Sequence, residues 1–144
     1  MNATQKEKSK QVLRIFLSYD AADKMYARKL RKLLSQRPDL RIFTTDTLSA
    51  GEDWQSKLRD ELSQSDIFVV LLSTSSIDSA WMLQELGAAW ALNKPIVPIA
   101  TEKFSEFPYF HLIALNKIHF IEIKELEKSG VIDQILDPYE KLAS

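Results

Sequence analysis

The chain has 144 residues, a length that suits a single domain with a hydrophobic core of its own. Its 45% hydrophobic and 27% charged residues are ordinary for a globular protein, and a formal net charge of -1 gives no electrostatic reason to expect nucleic acid or an anionic membrane as a partner. The lack of cysteine excludes disulfide bonds and thiolate metal sites, which fits a reducing compartment.

The first half of the chain alternates short apolar runs with helical patterns. Residues 12–18 (VLRIFLS) predict a strand, and the acids of residues 20–23 (DAAD) predict the start of a helix that continues to Pro38. Residues 40–44 (LRIFT) predict a second strand. Residues 45–54, which contain Gly51, predict the loop that follows it.

The second half repeats the same alternation. Trp54, Leu58 and Leu62 recur every four residues and predict an amphipathic helix. Residues 67–73 (IFVVLLS) form the continuous apolar run that is typical of a central parallel strand. The remaining predicted elements are a helix at 79–93, strands at 95–99 and 117–123, and a last helix at about 124–142 that Gly130 and Pro138 interrupt.

Five strands that alternate with helices predict an α/β fold, a parallel sheet with helices on both faces. Ligands of such folds bind at the carboxyl ends of the strands, so the loops at 18–20, 44–54, 73–80 and 100–108 form the candidate site. We expect the polar residues 1–11 to be a disordered leader or linker and residues 12–144 to be one domain of a longer protein.

Localisation is predicted from what the sequence lacks. No apolar run reaches the roughly 18 residues that cross a membrane, and no apolar stretch follows the charged residues at the start of the chain. We therefore expect a cytoplasmic protein.

Glu85 is the most unusual residue, because it is the only acid between Asp78 and Glu102 and lies within the apolar segment 78–90 (DSAWMLQELGAAW). A carboxylate in such surroundings loses solvation unless it is exposed, paired or used in chemistry. Helical spacing places Trp81 and Glu85 one turn apart, on a face that Ala88 and Leu92 continue. A solvated Glu85, or one paired with Lys94 or Arg59, is the structural alternative to a functional one.

Several common sites are excluded by their missing residues. The chain has neither a GxGxxG motif after the first strand nor a GxxxxGK[ST] phosphate loop. His111 and His119 are too few for a metal site, and we expect no metal. A response-regulator receiver would need an aspartate at the end of the third strand, where this chain has Ser73-Thr74.

Four segments follow one another in a characteristic order: residues 15–23 (IFLSYDAAD), 43–54 (FTTDTLSAGEDW), 65–86 (SDIFVVLLSTSSIDSAWMLQEL) and 94–99 (KPIVPI). Their order resembles a Toll/interleukin-1 receptor (TIR) domain of the bacterial, NAD-cleaving type. The second segment is similar to the family's BB loop, and SAWMLQE is similar to its serine-tryptophan-x-x-x-glutamate motif. The resemblance covers residues 12–123 and implies a flavodoxin-like TIR fold.

This resemblance implies a catalytic role for Glu85 in NAD+ glycohydrolysis, with NAD+ as substrate and no further cofactor. The nicotinamide leaving group is already cationic and needs no general acid, whereas the ribose develops positive charge that a carboxylate stabilises. The products would be nicotinamide and either linear ADP-ribose or a cyclic isomer.

The resemblance also implies a substrate-binding set and a self-association loop. The substrate-binding residues would be Ser18, Tyr19, Asp20, Asp46, Leu48 and Trp81, and the BB loop would comprise Thr47, Leu48, Ser49, Ala50, Gly51 and Glu52. The alternatives are that Tyr19 packs on the first helix, that Asp46 only caps its loop and that Trp81 packs in the core. Trp54 is predicted to be a core residue. The acids Asp20 and Asp23 make the start of the first helix a poor phosphate site.

The family resemblance further implies head-to-tail self-association, with the BB loop of one copy completing the site of the next. We expect a weakly active isolated domain that acts in bacterial defence or signalling, including antiphage defence. The aromatic residues of segment 101–116 either cover the sheet edge or contribute to self-association. Three functions remain as alternatives: a non-catalytic interaction module, a nucleoside deoxyribosyltransferase-like enzyme, and an effector that acts on host signalling.

Overall fold

The computed structural model describes residues 12–47, 51, 53–76, 79–101 and 121–143. The predicted disordered leader and most of the segment between the fourth and fifth strands lie outside these residues. Among the described helices, none is both long and apolar enough to cross a bilayer.

Five strands form one parallel sheet, which confirms the predicted α/β fold. The strands are β1 (Leu13–Ser18), β2 (Leu40–Phe43), β3 (Ile67–Leu72), β4 (Ile96–Ala100) and β5 (Ile121–Glu122). Their spatial order is β2-β1-β3-β4-β5, so β1 and β3 lie at the centre. Every residue of β3 is buried, as its continuous apolar run predicts.

Within the described ranges, four helices cover the sheet on its two faces. They are α1 (Lys24–Leu34), α2 (Trp54–Gln64), α3 (Ala80–Ala91) and α4 (Val131–Ala143), and short 3-10 turns occupy Ala21–Asp23, Thr45–Thr47 and Ile123–Glu127. Alternate side chains of the central strands point to opposite faces. Ile15 of β1 therefore packs in the cluster that includes residues of α1 and α4, whereas Phe16 packs in the cluster that includes residues of α2 and α3.

The last helix differs from its prediction. Gly130 has a φ of 82°, which favours glycine, and it precedes the first residue of α4, so the predicted single helix is a 3-10 turn followed by an α-helix. Pro138 lies inside α4, and the prediction that it interrupts the helix was wrong. The apolar side of α4, including the buried Leu136, packs on the core, and this packing overrides the local preference against proline.

Candidate functional site

The carboxyl ends of β1 and β3, the start of the β2–α2 loop and the first turns of α3 meet at one edge of the sheet. Ser79 caps α3, because its side chain accepts a hydrogen bond of 3.2 Å from the backbone N–H of Met82. Met82, Leu86 and Ala89 then anchor the helix on the sheet. Glu85 belongs to this sheet-facing stripe by its spacing, which is why it is buried.

The face of α3 therefore differs from the predicted one. Ala88 and Leu92, which were expected to continue the face of Glu85, are exposed. Trp81 is partly buried, one turn before Glu85. The side of α3 that packs on the sheet is therefore not the side that was predicted from helical spacing.

Glu85 is 5% exposed, and Ser18 at the end of β1 provides its one described hydrogen bond. Ser18 Oγ donates to Glu85 Oε1 at 3.3 Å, whereas Oε2 has no hydrogen-bond partner among the described residues. Burial raises the pKa of Glu85 to about 8, although the Ser18 hydrogen bond opposes this rise. At pH 7 the carboxyl group of the free chain is therefore mostly protonated.

Glu85 is neither solvated nor paired with Lys94 or Arg59 among the described residues. Its low exposure excludes a solvated side chain. Lys94 Nζ instead donates to the backbone oxygens of Ser63 and Ser65, at 2.6 and 2.9 Å, and so caps the end of α2. Within the described residues no salt bridge joins Glu85 to Arg59 or Lys94.

A cleft of about 380 Å³ opens beside Glu85's helix at this sheet edge. It is lined by Tyr19, Asp20, Ala21, Lys24, Thr45, Asp46, Ser79 and Trp81. The structure thus brings together four of the predicted substrate-binding residues. The other two differ: Ser18 is buried and donates to Glu85 instead of lining the cleft, and Leu48 lies outside the described residues. Glu85 itself does not line the cleft.

Asp46 ties the β2–α2 loop to the end of β1. It accepts hydrogen bonds from the Thr44 hydroxyl and from the Tyr19 hydroxyl. Partial burial raises the pKa of Asp46, but these two hydrogen bonds and Arg31 outweigh it, and the net pKa is below its ordinary value. Burial first, and then Asp46, raises the pKa of Tyr19 to about 12. Tyr19 also packs against the α1 side of the core, as the structural alternative predicted, while it lines the cleft.

Trp54 is not a core residue, and that prediction was wrong. It is 43% exposed, and its ring lies 5.1 Å from the ring of Trp81, at an interplanar angle of 46°. The physical reason is its position as the first residue of α2, where the chain has just left the loop and has not yet reached the sheet. The Trp54–Trp81 pair therefore joins the end of the loop to the wall of the cleft.

A buried polar cluster at the same edge of the sheet was not predicted from the sequence. Asp23 accepts a hydrogen bond from the Ser73 hydroxyl, and Ser76 Oγ accepts one of 2.8 Å from the backbone N–H of Ser73. Burial raises the pKa of Asp23 and Asp20 adds to the rise, while the Ser73 hydrogen bond opposes it; the net pKa is above its ordinary value. The serines after β3 were the available signal, since polar residues that directly follow a buried strand need partners.

The predicted self-association loop is described only in part. Thr47 ends a 3-10 turn, and Gly51 has a φ of 88° that favours glycine. Ser49, Ala50 and Glu52 lie outside the described residues, and so do residues 102–116 of the predicted aromatic segment 101–116. His111 and His119 also lie there, and the described part of the chain contains no group of three or more His, Cys, Asp or Glu that could hold a metal ion.

Comparison with known proteins gives a family match and a set of similar folds. A family model for the TIR domain matches residues 15–136. The TIR domain of the Toll-related receptor TRR-2 from Hydra magnipapillata aligns with a TM-score of 0.60 and 18% identity, over 86% of this chain and 88% of that chain. No curated protein sequence matches the chain.

Two further solved structures share the fold. The CMP N-glycosidase BcmB of Clostridium botulinum aligns with a TM-score of 0.57 and 21% identity, over 88% of this chain and 98% of that chain. The TIR domains of the activated Roq1 resistosome, which recognises the pathogen effector XopQ, align with a TM-score of 0.52 and 23% identity, over 61% of this chain and 57% of that chain. At these identities the similarity shows the fold alone.

Proposed function

The chain belongs to the TIR domain family, and from this premise we propose that it is an NAD+ nucleosidase of the bacterial type that cuts the bond between nicotinamide and ribose. One observation carries the proposal. A carboxyl group with one oxygen that has no hydrogen-bond partner among the described residues is buried at the carboxyl edge of the sheet, on the same helix as the aromatic wall of a cleft of about 380 Å³.

The chemistry needs one acid. In NAD+ the nicotinamide leaves as a neutral molecule, water adds to the ribose carbon, and one proton is released with ADP-ribose. Ser18 holds Glu85 Oε1 and leaves Oε2 free to accept hydrogen bonds from the ribose hydroxyls. The ionised carboxylate then stabilises the positive charge that develops on the sugar, and it acts more strongly in a dry site than in water. Attack by the adenine instead of water would give a cyclic product.

The raised pKa of Glu85 sets the expected pH dependence. Ionised Glu85 is the active form in this mechanism, and in the free chain its pKa is about 8. The kcat/KM for nicotinamide release should therefore rise with pH and level off above about 8. The kcat should level off at a lower pH, because the bound pyridinium cation favours the ionised carboxylate.

The direct test is nicotinamide release from NAD+ by the full chain, at high concentration and over a pH series. Glu85→Gln keeps the shape of the side chain but cannot ionise, so it should abolish turnover at every pH. Glu125→Gln, which changes an exposed carboxylate, is the matched control and should keep wild-type turnover. Turnover by a folded Glu85→Gln variant would contradict the proposal.

A non-catalytic interaction module is the second candidate, and one observation favours it. Glu85 does not line the cleft, and a protonated buried acid is a stable structural residue at pH 7. This function predicts no turnover even when the chain is artificially clustered. A third candidate, an enzyme acting on free nucleosides or nucleotides, takes support from the fold similarity to the CMP N-glycosidase, and it predicts base release from those substrates but not from NAD+.

We infer a cytoplasmic effector in bacterial defence or signalling whose activity depends on contact between copies of the chain, in a head-to-tail arrangement. The resistosome origin of one structural neighbour supports a role for assembly.

A further inference from the structure

One flank of α1 carries a row of exposed basic residues. Lys24, Arg28 and Arg31 are spaced by four and three residues, so they lie along one side of the helix, and all are exposed. Among the described residues none of the three forms an ion pair, whereas Lys29 of the same helix pairs with Glu127 at 2.5 Å. Like charges at this spacing repel each other.

The row begins at the cleft. Lys24 lines the cleft directly. Arg31 and Arg28 lie close enough to the Tyr19 hydroxyl to lower its pKa, against the larger rise from burial and from Asp46. Arg31 also lowers the pKa of Asp46. The two arginines therefore act electrostatically on cleft-lining residues and extend positive charge from the cleft along α1.

Apart from Lys24, the charged residues that line the cleft are acidic. Asp20 and Asp46 line it together with the aromatic side chains of Tyr19 and Trp81. Acids and aromatic faces favour a planar cation such as the nicotinamide ring of NAD+ and disfavour phosphate. The first turn before α1 is also closed to phosphate, because Asp20 accepts from the N–H of Ala22.

We propose that the row of Lys24, Arg28 and Arg31 binds the diphosphate of the dinucleotide, while the cationic ring enters the acidic, aromatic cleft. This inference rests on the proposed function. It assigns the two halves of the substrate by charge: the pyridinium to the cleft and the diphosphate to the flank of α1. Arginine suits this role because its planar donors bind phosphate oxygens in pairs.

The experiment uses the full chain with all three residues changed to Gln, and it compares NAD+ with nicotinamide riboside, which carries the same ring and ribose but no phosphate. A control variant changes the three exposed lysines Lys29, Lys57 and Lys128 to Gln and alters the net charge equally. Loss of charged contacts to phosphate should raise the KM for NAD+ in the row variant by roughly tenfold or more, with kcat nearly unchanged. The KM for nicotinamide riboside should not change, and the control variant should behave as wild type.

Equal effects on NAD+ and nicotinamide riboside, or equal effects in the two variants, would overturn the inference and leave the proposed function intact. Binding of ADP, measured by calorimetry, separates the two proposals if the wild-type chain cleaves neither substrate. ADP binding that is lost in the row variant and kept in the control would then retain the anion site while the nucleosidase fails. No ADP binding by the wild-type chain would overturn the site.

Discussion

At Glu85, burial should make the stability of the fold depend on pH. Its pKa is about 8 in the folded chain, whereas its ordinary value, which applies to the unfolded chain, is 4.5. Between these pH values the folded chain therefore binds more protons than the unfolded chain. The stability from this group is complete below pH 4.5 and is lost as the pH rises through about 8. Within that window the free energy of unfolding should fall by up to about 1.4 kcal/mol per pH unit.

Glu85→Gln should remove this slope, since an amide does not titrate. Denaturant unfolding of both proteins at several pH values between 5 and 9 measures the difference. The comparison with wild type is needed because Asp23, whose pKa is also raised, contributes a slope of the same sign to both proteins. Parallel stability curves for the two proteins would show that Glu85 is not held as a buried acid.

Two tryptophans, Trp54 and Trp81, join the start of α2 to the start of α3. Trp54 and Trp81 contact each other from the first turns of their helices, so the effects of Trp54→Ala and Trp81→Ala on unfolding should not add. Aromatic pairs of this geometry contribute about 0.5–1.5 kcal/mol beyond the area they bury, and a double-mutant cycle should give a coupling energy in that range. Trp90→Ala is the control, because Trp90 is half-exposed and lies on α3 as Trp81 does. Its effect on unfolding should add to that of Trp54→Ala. Additive effects for the first pair would mean that the contact does not link the helices.

Replacing Gly87 or Gly130 by alanine should change the stability of the chain in opposite directions. A Cβ at either Gly87 or Gly130 would meet no atom within 4 Å, so packing does not distinguish them. Gly87 lies inside α3, where alanine is favoured over glycine by about 1 kcal/mol, and Gly87→Ala should stabilise the chain. Gly130 has a φ of 82°, where alanine is strained, and Gly130→Ala should destabilise it by about 1 kcal/mol. Thermal unfolding of the two variants measures both signs, and equal shifts would contradict this account.

For the molecule as a whole, the sheet was the most predictable feature. The alternation of strands and helices predicted a parallel sheet. The apolar run of residues 67–73 predicted its central strand, because a strand covered on both faces must be apolar throughout. The carboxyl-edge rule likewise predicted that the loops at 18–20 and 44–54 lie at one edge of the sheet, and Tyr19, Asp20 and Asp46 of these loops line one cleft.

Features that depend on contacts between distant elements could not be predicted. The rotation of α3 that buries Glu85 is set by Met82, Leu86 and Ala89 on the sheet, and a helix that is apolar nearly all round gives no periodic signal for it. The Asp23–Ser73 contact joins residues that are 50 positions apart. The exposure of Trp54 was missed because its spacing matches that of the core residues of α2, whereas its position at the helix start decides its surroundings.

The hidden position of Glu85 leads to a prediction about assembly. In the single chain Glu85 is 5% exposed and does not line the cleft, so a substrate in the cleft needs a rearrangement to reach its carboxyl group. Contact between copies through the loop that contains Gly51 is the proposed cause, and nicotinamide release per mole of chain should then rise with protein concentration. Gly51→Ala strains a residue with a φ of 88° and should weaken this dependence, whereas Gly87→Ala should preserve it. Initial rates and sedimentation measured over the same concentrations test the link. A specific activity that stays constant while the chain remains monomeric would show that one copy opens its own site.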